Sequence, residues 1–180
     1  MESKTLQYIS YGLYIICSKK NEGRFNGQIS NTLFQVTSNP PQIAISINKE
    51  NLTHEYIDES NCFTASILSK NTPMKFIGLF GFKTGRDLDK LQNINYKLGK
   101  LGIPIILDNT VGYIESKVID KTDLGTHTLF IGRIIDTGIL REEEVLTYEY
   151  YSKIKHGYSP KNAPTHISGI VNNITPLFEK

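Results

Sequence analysis

Gln42-Ile43-Ala44-Ile45-Ser46-Ile47, followed by Asn48-Lys49-Glu50-Asn51-Leu52-Thr53, is the stretch on which the fold turns. Ile43, Ile45 and Ile47 alternate with Gln42, Ala44 and Ser46, the period of two that marks a strand with one buried face. The polar run after it opens a short helix over Asn51 to Ser60, with Leu52, Tyr56 and Ile57 at helical spacing and an Asx or Thr cap. A helix start directly behind a strand presents free N–H groups and the positive end of the dipole. Lys49, Asn51 and Thr53 there can add donors to a phosphate, and the plain reading is an ordinary helix cap, since Asn and Thr cap helices widely.

Upstream, Ser38-Asn39-Pro40-Pro41 ends a strand expected over Gln28 to Thr37, and an Ile- and Tyr-rich run from Tyr11 to Ser18 reads as the first strand. Downstream, Cys62 to Leu68, Ile103 to Leu107, Val111 to Asp120 and Thr126 to Ile139 read as further strands. Thr72-Pro73 marks a helix start with proline at its first position, and Gly81 is placed to stop that helix after Phe80. A last helix is expected over Thr147 to His156, ended by Gly157 and Pro160. Helices inserted among many short strands, rather than alternating with each, favour a closed or partly closed barrel over a doubly wound sheet. Residues 1–180 are the right length for a single domain. The tail over 159–180 has too few apolar residues to fold alone and is expected to lie on the barrel or on a partner subunit.

Lys and Arg number 20 against 18 Asp and Glu, and the basic residues are scattered, which argues against nucleic acid as a partner. No apolar run is long enough to span a bilayer, and Met1 to Gln7 lacks the basic-then-apolar pattern of a signal peptide, so a cytoplasmic protein without a membrane partner is expected. Cys17 and Cys62 sit in apolar runs and read as inert buried thiols. His54, His127, His156 and His166 have no ligand spacing, so no metal site is expected. The usual nucleotide-loop, zinc-protease and hydrolase signatures are absent.

Several segments together carry a resemblance: Tyr11-Gly12-Leu13-Tyr14, Gly27 to Gln35, Asn48 to His54, Thr72 to Gly78, Gly125-Thr126-His127-Thr128-Leu129-Phe130-Ile131-Gly132 and Leu146-Thr147-Tyr148. In order, over roughly residues 6 to 166, they resemble the FMN-binding split-barrel flavin reductases, above all the archaeal ferric reductase branch and the flavin reductase domain of high-molecular-weight rubredoxins. No CxxC pair is present for a rubredoxin iron. The resemblance implies a mainly β fold, a six-stranded antiparallel Greek-key split barrel with inserted short helices. It also implies a homodimer, with FMN bound near the dimer interface.

Carried over by position, Gln28, Ser30, Asn31 and Thr32 would line the isoalloxazine edge, and Ser46, Asn48, Lys49, Asn51 and Thr53 would follow the ribityl chain to the phosphate. Phe80 to Arg86, including Phe82, Thr84, Gly85 and Arg86, with Lys90 beyond, resembles a loop that closes over the flavin; the plain reading is a solvated basic loop. His127 would face the flavin, place the nicotinamide and stabilise the reduced ring, whereas the plain reading is a core histidine bonded to the backbone. Ser46 stands where the archaeal ferric reductase carries a cysteine, and its hydroxyl can still donate a hydrogen bond. Tyr148, Tyr150 and Tyr151 either stack near the ring or pack the last helix.

The implied activity is an NAD(P)H oxidoreductase passing a hydride from NADH or NADPH to bound FMN, and electrons on to free flavin, ferric complexes or a protein acceptor. A flavoredoxin-like FMN electron carrier without its own nicotinamide site shares the same motifs. Whether the space facing His127 admits a dinucleotide, or is closed by the Phe80 to Arg86 loop or by the tail of a partner subunit, separates the two.

Overall fold

Strands β1 (Tyr14–Lys19), β2 (Phe25–Ser30), β3 (Leu33–Ser38) and β4 (Pro41–Asn48) come first, then helix α1 (Leu52–Ser60), β5 (Cys62–Leu68) and helix α2 (Met74–Phe82). The short strands β6 (Tyr96–Leu98) and β7 (Pro104–Ile106) precede the long hairpin β8 (Thr110–Asp123) and β9 (His127–Ile139), and helix α3 (Tyr148–Lys153) follows. The computed structural model describes residues 3–20 and 23–166. Among them no helix is long and apolar enough to cross a membrane.

Seven strands form one antiparallel sheet in the order β2-β1-β5-β8-β9-β4-β3, with β6 and β7 paired separately. The sheet has one strand more than the six expected because the stretch read as a single strand over 28–37 folds as β2 and β3, broken at Asn31-Thr32. These two strands lie at opposite edges of the sheet. From Ser30 to Leu33 the chain takes only three Cα steps, so the two edges approach within about 11 Å and the sheet must curl into a barrel with a split between them. That split positions the site.

Within the barrel, Ile16, Ile43, Ile45, Ile47, Phe63 and Phe130 make an apolar cluster, and Ile57 of α1 closes it. Ile15 and Cys17 point to the opposite face of β1, where they join Leu13, Ile77, Phe80 and Ile106 in a second cluster beneath α2. β4 therefore departs from the one-buried-face expectation: Ala44, Ser46 and Asn48 are buried as well as the three isoleucines. On that second face Ser46 and Asn48 border a cavity rather than open solvent.

Two helix boundaries differ from the sequence reading. Pro73 is the N-cap of α2 rather than its first helical residue, and the helix runs through Gly81 to Phe82, the apolar side chains on either side of the glycine sustaining it. α3 stops at Lys153, with Thr147 Oγ1 accepting from Tyr150 N at 3.2 Å. The tail lies across the split as far as His166, and the rest of the call on 159–180 falls outside the described residues.

Candidate functional site

At the split lies a cavity of about 430 Å³, within the size range of small-molecule sites. Its walls come from β2, β4, the start of α1, the end of α2 with the loop behind it, α3 and the segment after α3. Gln28, Ser30, Asn31, Ser46, Asn48, Asn51, Thr53, Phe82, Thr84, Gly85 and Lys90 all line it. The structure thus brings together most of the residues singled out from the sequence, from Gln28 to Lys90.

Their positions follow from local bonding. Asn48 Oδ1 accepts from Glu50 N at 2.9 Å, which turns the chain from β4 into α1. No side chain caps α1: Asn51, its N-cap residue, makes no cap bond, and Thr53 Oγ1, fully buried, instead accepts from Asn26 Nδ2 at 2.7 Å. Gly27 is confined between β1 and α2, since a Cβ there would come within 2.9 Å of Cys17 Sγ and 3.1 Å of the Phe80 ring.

Two polar groups on the wall are conspicuous. Gln28 Oε1 is buried and has no hydrogen-bond partner, a state that costs about 1–3 kcal/mol unless a donor is supplied. Lys90 is also buried; its Nζ donates to Gly27 O at 3.0 Å and Phe80 O at 3.3 Å. Burial pulls the Lys90 ammonium down to about 8, an effect the neighbouring Cys17 opposes. Cys17 is itself pushed up to about 12 by burial and stays a thiol.

Four of the sequence-selected residues do not line the cavity. Thr32 sits behind the wall, its Oγ1 donating to Asn31 Oδ1 at 3.2 Å and so orienting Asn31. Lys49 turns outward to Asp123 at 2.6 Å, and Lys49 together with the Gly125 N–H holds that carboxyl below its usual range. Arg86 is paired with Glu55 at the surface. His127 begins β9 opposite Asn48, half-buried, with Nδ1 2.8 Å from Thr126 Oγ1 and Nε2 3.3 Å from the carbonyl of Asn162. A carbonyl only accepts, so Nε2 carries the proton in that contact and Nδ1 accepts from the threonine.

Other wall residues were given no role at the site by the sequence reading. Asn26 stands in the polar series Asn26-Gly27-Gln28 at a strand end, on the same period-two phase of β2 as Gln28 and Ser30. Tyr158 to Pro164 form a further wall, and nothing in their composition announces it. Tyr148 and Tyr151 line the cavity; Tyr150 faces away, with Lys70 Nζ 5.0 Å from its ring centroid. Among the described residues no His, Cys, Asp and Glu cluster is placed to hold a metal ion.

Comparison with known proteins places this geometry. Residues 6–155 match the flavin reductase like domain family. The chain is 48% identical over 177 residues to a high molecular weight rubredoxin of Moorella thermoacetica, covering 98% of this chain and 77% of that protein. It is 46% identical over 166 residues to a ferric-chelate reductase (NAD(P)H) of Archaeoglobus fulgidus, covering 92% of this chain and 98% of the other. Among solved structures, an FMN-binding protein from Thermus thermophilus superposes with a TM-score of 0.68 at 23% identity, over 75% of this chain and 74% of that one. A Streptomyces globisporus NADH:FAD oxidoreductase gives 0.70 at 21% identity, over 77% and 81%. At these identities the two structures share the split-barrel fold.

Proposed function

The chain belongs to the flavin reductase-like family, and on that footing we propose that it is an NAD(P)H oxidoreductase with FMN as its cofactor. The observation that carries the reading is the unpartnered Gln28 Oε1 inside a cavity walled by buried amides and hydroxyls. A heteroaromatic ring with an imide N–H supplies the missing donor, and a polyol phosphate suits the remaining wall. Gln28, Ser30 and Asn31, with Asn26, are the groups to hold the ring edge. Ser46, Asn48, Asn51 and Thr53 suit the ribityl chain and phosphate, and Lys90 contributes positive charge from beneath.

When bound, FMN supplies a two-electron acceptor for hydride from NADH or NADPH and passes electrons onward to free flavin, a ferric complex or a protein. The protein's part is to orient and to exclude water. Phe82 and Tyr158, their rings 4.8 Å apart, screen one side of the cavity, and Lys90 keeps a positive charge in low dielectric where negative charge is to be held. His127 is assigned the placement of the nicotinamide. Dimerisation fits the edge strand β3, which exposes Phe34 and Val36 and has, among the described residues, no neighbouring strand beyond it. A cytoplasmic setting fits the free thiols Cys17 and Cys62.

An anaerobic titration of the FMN-loaded protein with NADH, then NADPH, tests the reading by following oxidised-flavin absorbance. Bleaching by either nucleotide is expected. FMN that stays oxidised with both would establish instead the carrier without a nicotinamide site, a reading favoured by the contact between His127 Nε2 and the Asn162 carbonyl of the chain's own tail.

A further inference from the structure

The segment after α3 does more than end the chain. His156 takes a left-handed conformation with φ of 54°, and Gly157 then packs so tightly on Tyr151 that a Cβ would stand 2.1 Å from its ring. This fixes the direction in which the chain leaves α3. Tyr151 OH donates to Tyr158 O at 3.1 Å, the Tyr158 ring lies against Phe82, and the Ser159 hydroxyl meets that of Tyr148 at 2.5 Å. Beyond them the segment crosses the cavity to its far rim. Asn31 Nδ2 donates to Thr165 Oγ1 at 2.7 Å, and Asn162 Nδ2 reaches Glu50 and Asn51 at 3.3 and 3.4 Å. Pro160 and Pro164 limit its freedom between these anchors.

We propose that residues 158–165 form a strap that retains the flavin, so that this chain holds FMN as a resident group rather than exchanging it as a diffusible substrate. The proposal rests on the functional reading above. The argument is geometric: the near end is set by Gly157 against Tyr151, whereas the far end is held by a few exposed or half-exposed polar bonds. The strap therefore opens from the Asn162 and Thr165 side, and a ligand of flavin size passes only when it does.

The test uses the full-length chain, FMN itself and apoflavodoxin as a trap, with release and uptake both followed by flavin fluorescence. In Asn162→Ala/Thr165→Val, which removes the side-chain bonds to Glu50, Asn51 and Asn31 and leaves the Asn162 carbonyl against His127, release is expected to accelerate about tenfold, as the loss of these long or partly exposed hydrogen bonds implies. Uptake should accelerate too, because a strap obstructs both directions. Tyr158→Ala, which removes the near ring contact, should shift both rates the same way. Faster release with unchanged uptake would make these residues ordinary wall contacts and overturn the strap, as would two unchanged rates. A wild-type chain that takes up no FMN would overturn the functional reading, and this inference with it.

Discussion

Glu115 and Lys90 are both buried charged side chains, and their surroundings differ in a way that separates scaffold from site. The Glu115 carboxylate, on β8, accepts from Lys100 N at 2.8 Å and Leu101 N at 2.7 Å, so it ties the turn between β6 and β7 to the main sheet. Gly99 packs on it so closely that a Cβ would meet Oε1 at 2.4 Å. Both oxygens are used and no space is left. Lys90 gives two of its donors to carbonyls of β2 and α2 and borders a cavity in which Gln28 Oε1 has no partner. Polar burial that closes on itself holds the fold, and polar burial that remains open toward a cavity points to a ligand.

The contrast breaks first at Glu115. Glu115→Ala leaves two backbone donors without their acceptor and should destabilise the protein by about 2–4 kcal/mol, read as a lower urea midpoint, with FMN affinity of the folded fraction unchanged. An equal loss of FMN affinity would show that the two regions are not separable. Lys90→Met should do the opposite: FMN affinity falls about 10- to 100-fold by fluorescence titration, as expected when a buried charge partner is removed, with a smaller stability change than at Glu115.

The ionisation of Lys90 sharpens the same contrast. Its ammonium is lowered from 10.5 to about 8 in the folded protein, so between those values the unfolded chain binds more protons than the native one. Stability of the FMN-free protein should therefore rise with pH across that window, whereas FMN affinity should fall as the charge is lost above about pH 8. The quantity to measure is the difference between wild type and Lys90→Met. Parallel pH profiles for the two would remove Lys90 from FMN binding.

What the sequence disclosed follows the range of the interactions involved. The passage from β4 into α1 is local, an alternation followed by an Asx turn at Asn48, and the strand and helix were both legible there. The break at Asn31-Thr32 was not, because barrel closure, which brings the two edges of the sheet toward each other, imposes it on a run without Gly or Pro. β6, with all three residues exposed, carries no hydrophobic period at all. At the site, residues on strands and helix starts were placed by the family resemblance, which follows short local segments of the chain. That the tail lies on the barrel or on a partner was expected, but the anchors of the strap were not, because polar residues held by single hydrogen bonds leave no pattern. Lys49 suited a phosphate and Arg86 a loop closing over the flavin, and their carboxylate partners, Asp123 and Glu55, become visible only when distant strands and loops meet.

The smallest effect is expected at those two residues. Lys49→Ala and Arg86→Ala each remove one member of an exposed pair that faces away from the cavity, and exposed pairs in water contribute little. FMN affinity should change by less than about threefold in either variant, since only screened, long-range charge is lost. The comparison with Lys90→Met then rests on position alone, because all three substitutions delete one positive charge. Tenfold weaker binding in Lys49→Ala would mean that the ammonium exchanges Asp123 for the phosphate when ligand enters. The β4–α1 loop would then belong with the open polar region around Lys90 and not with the closed one around Glu115.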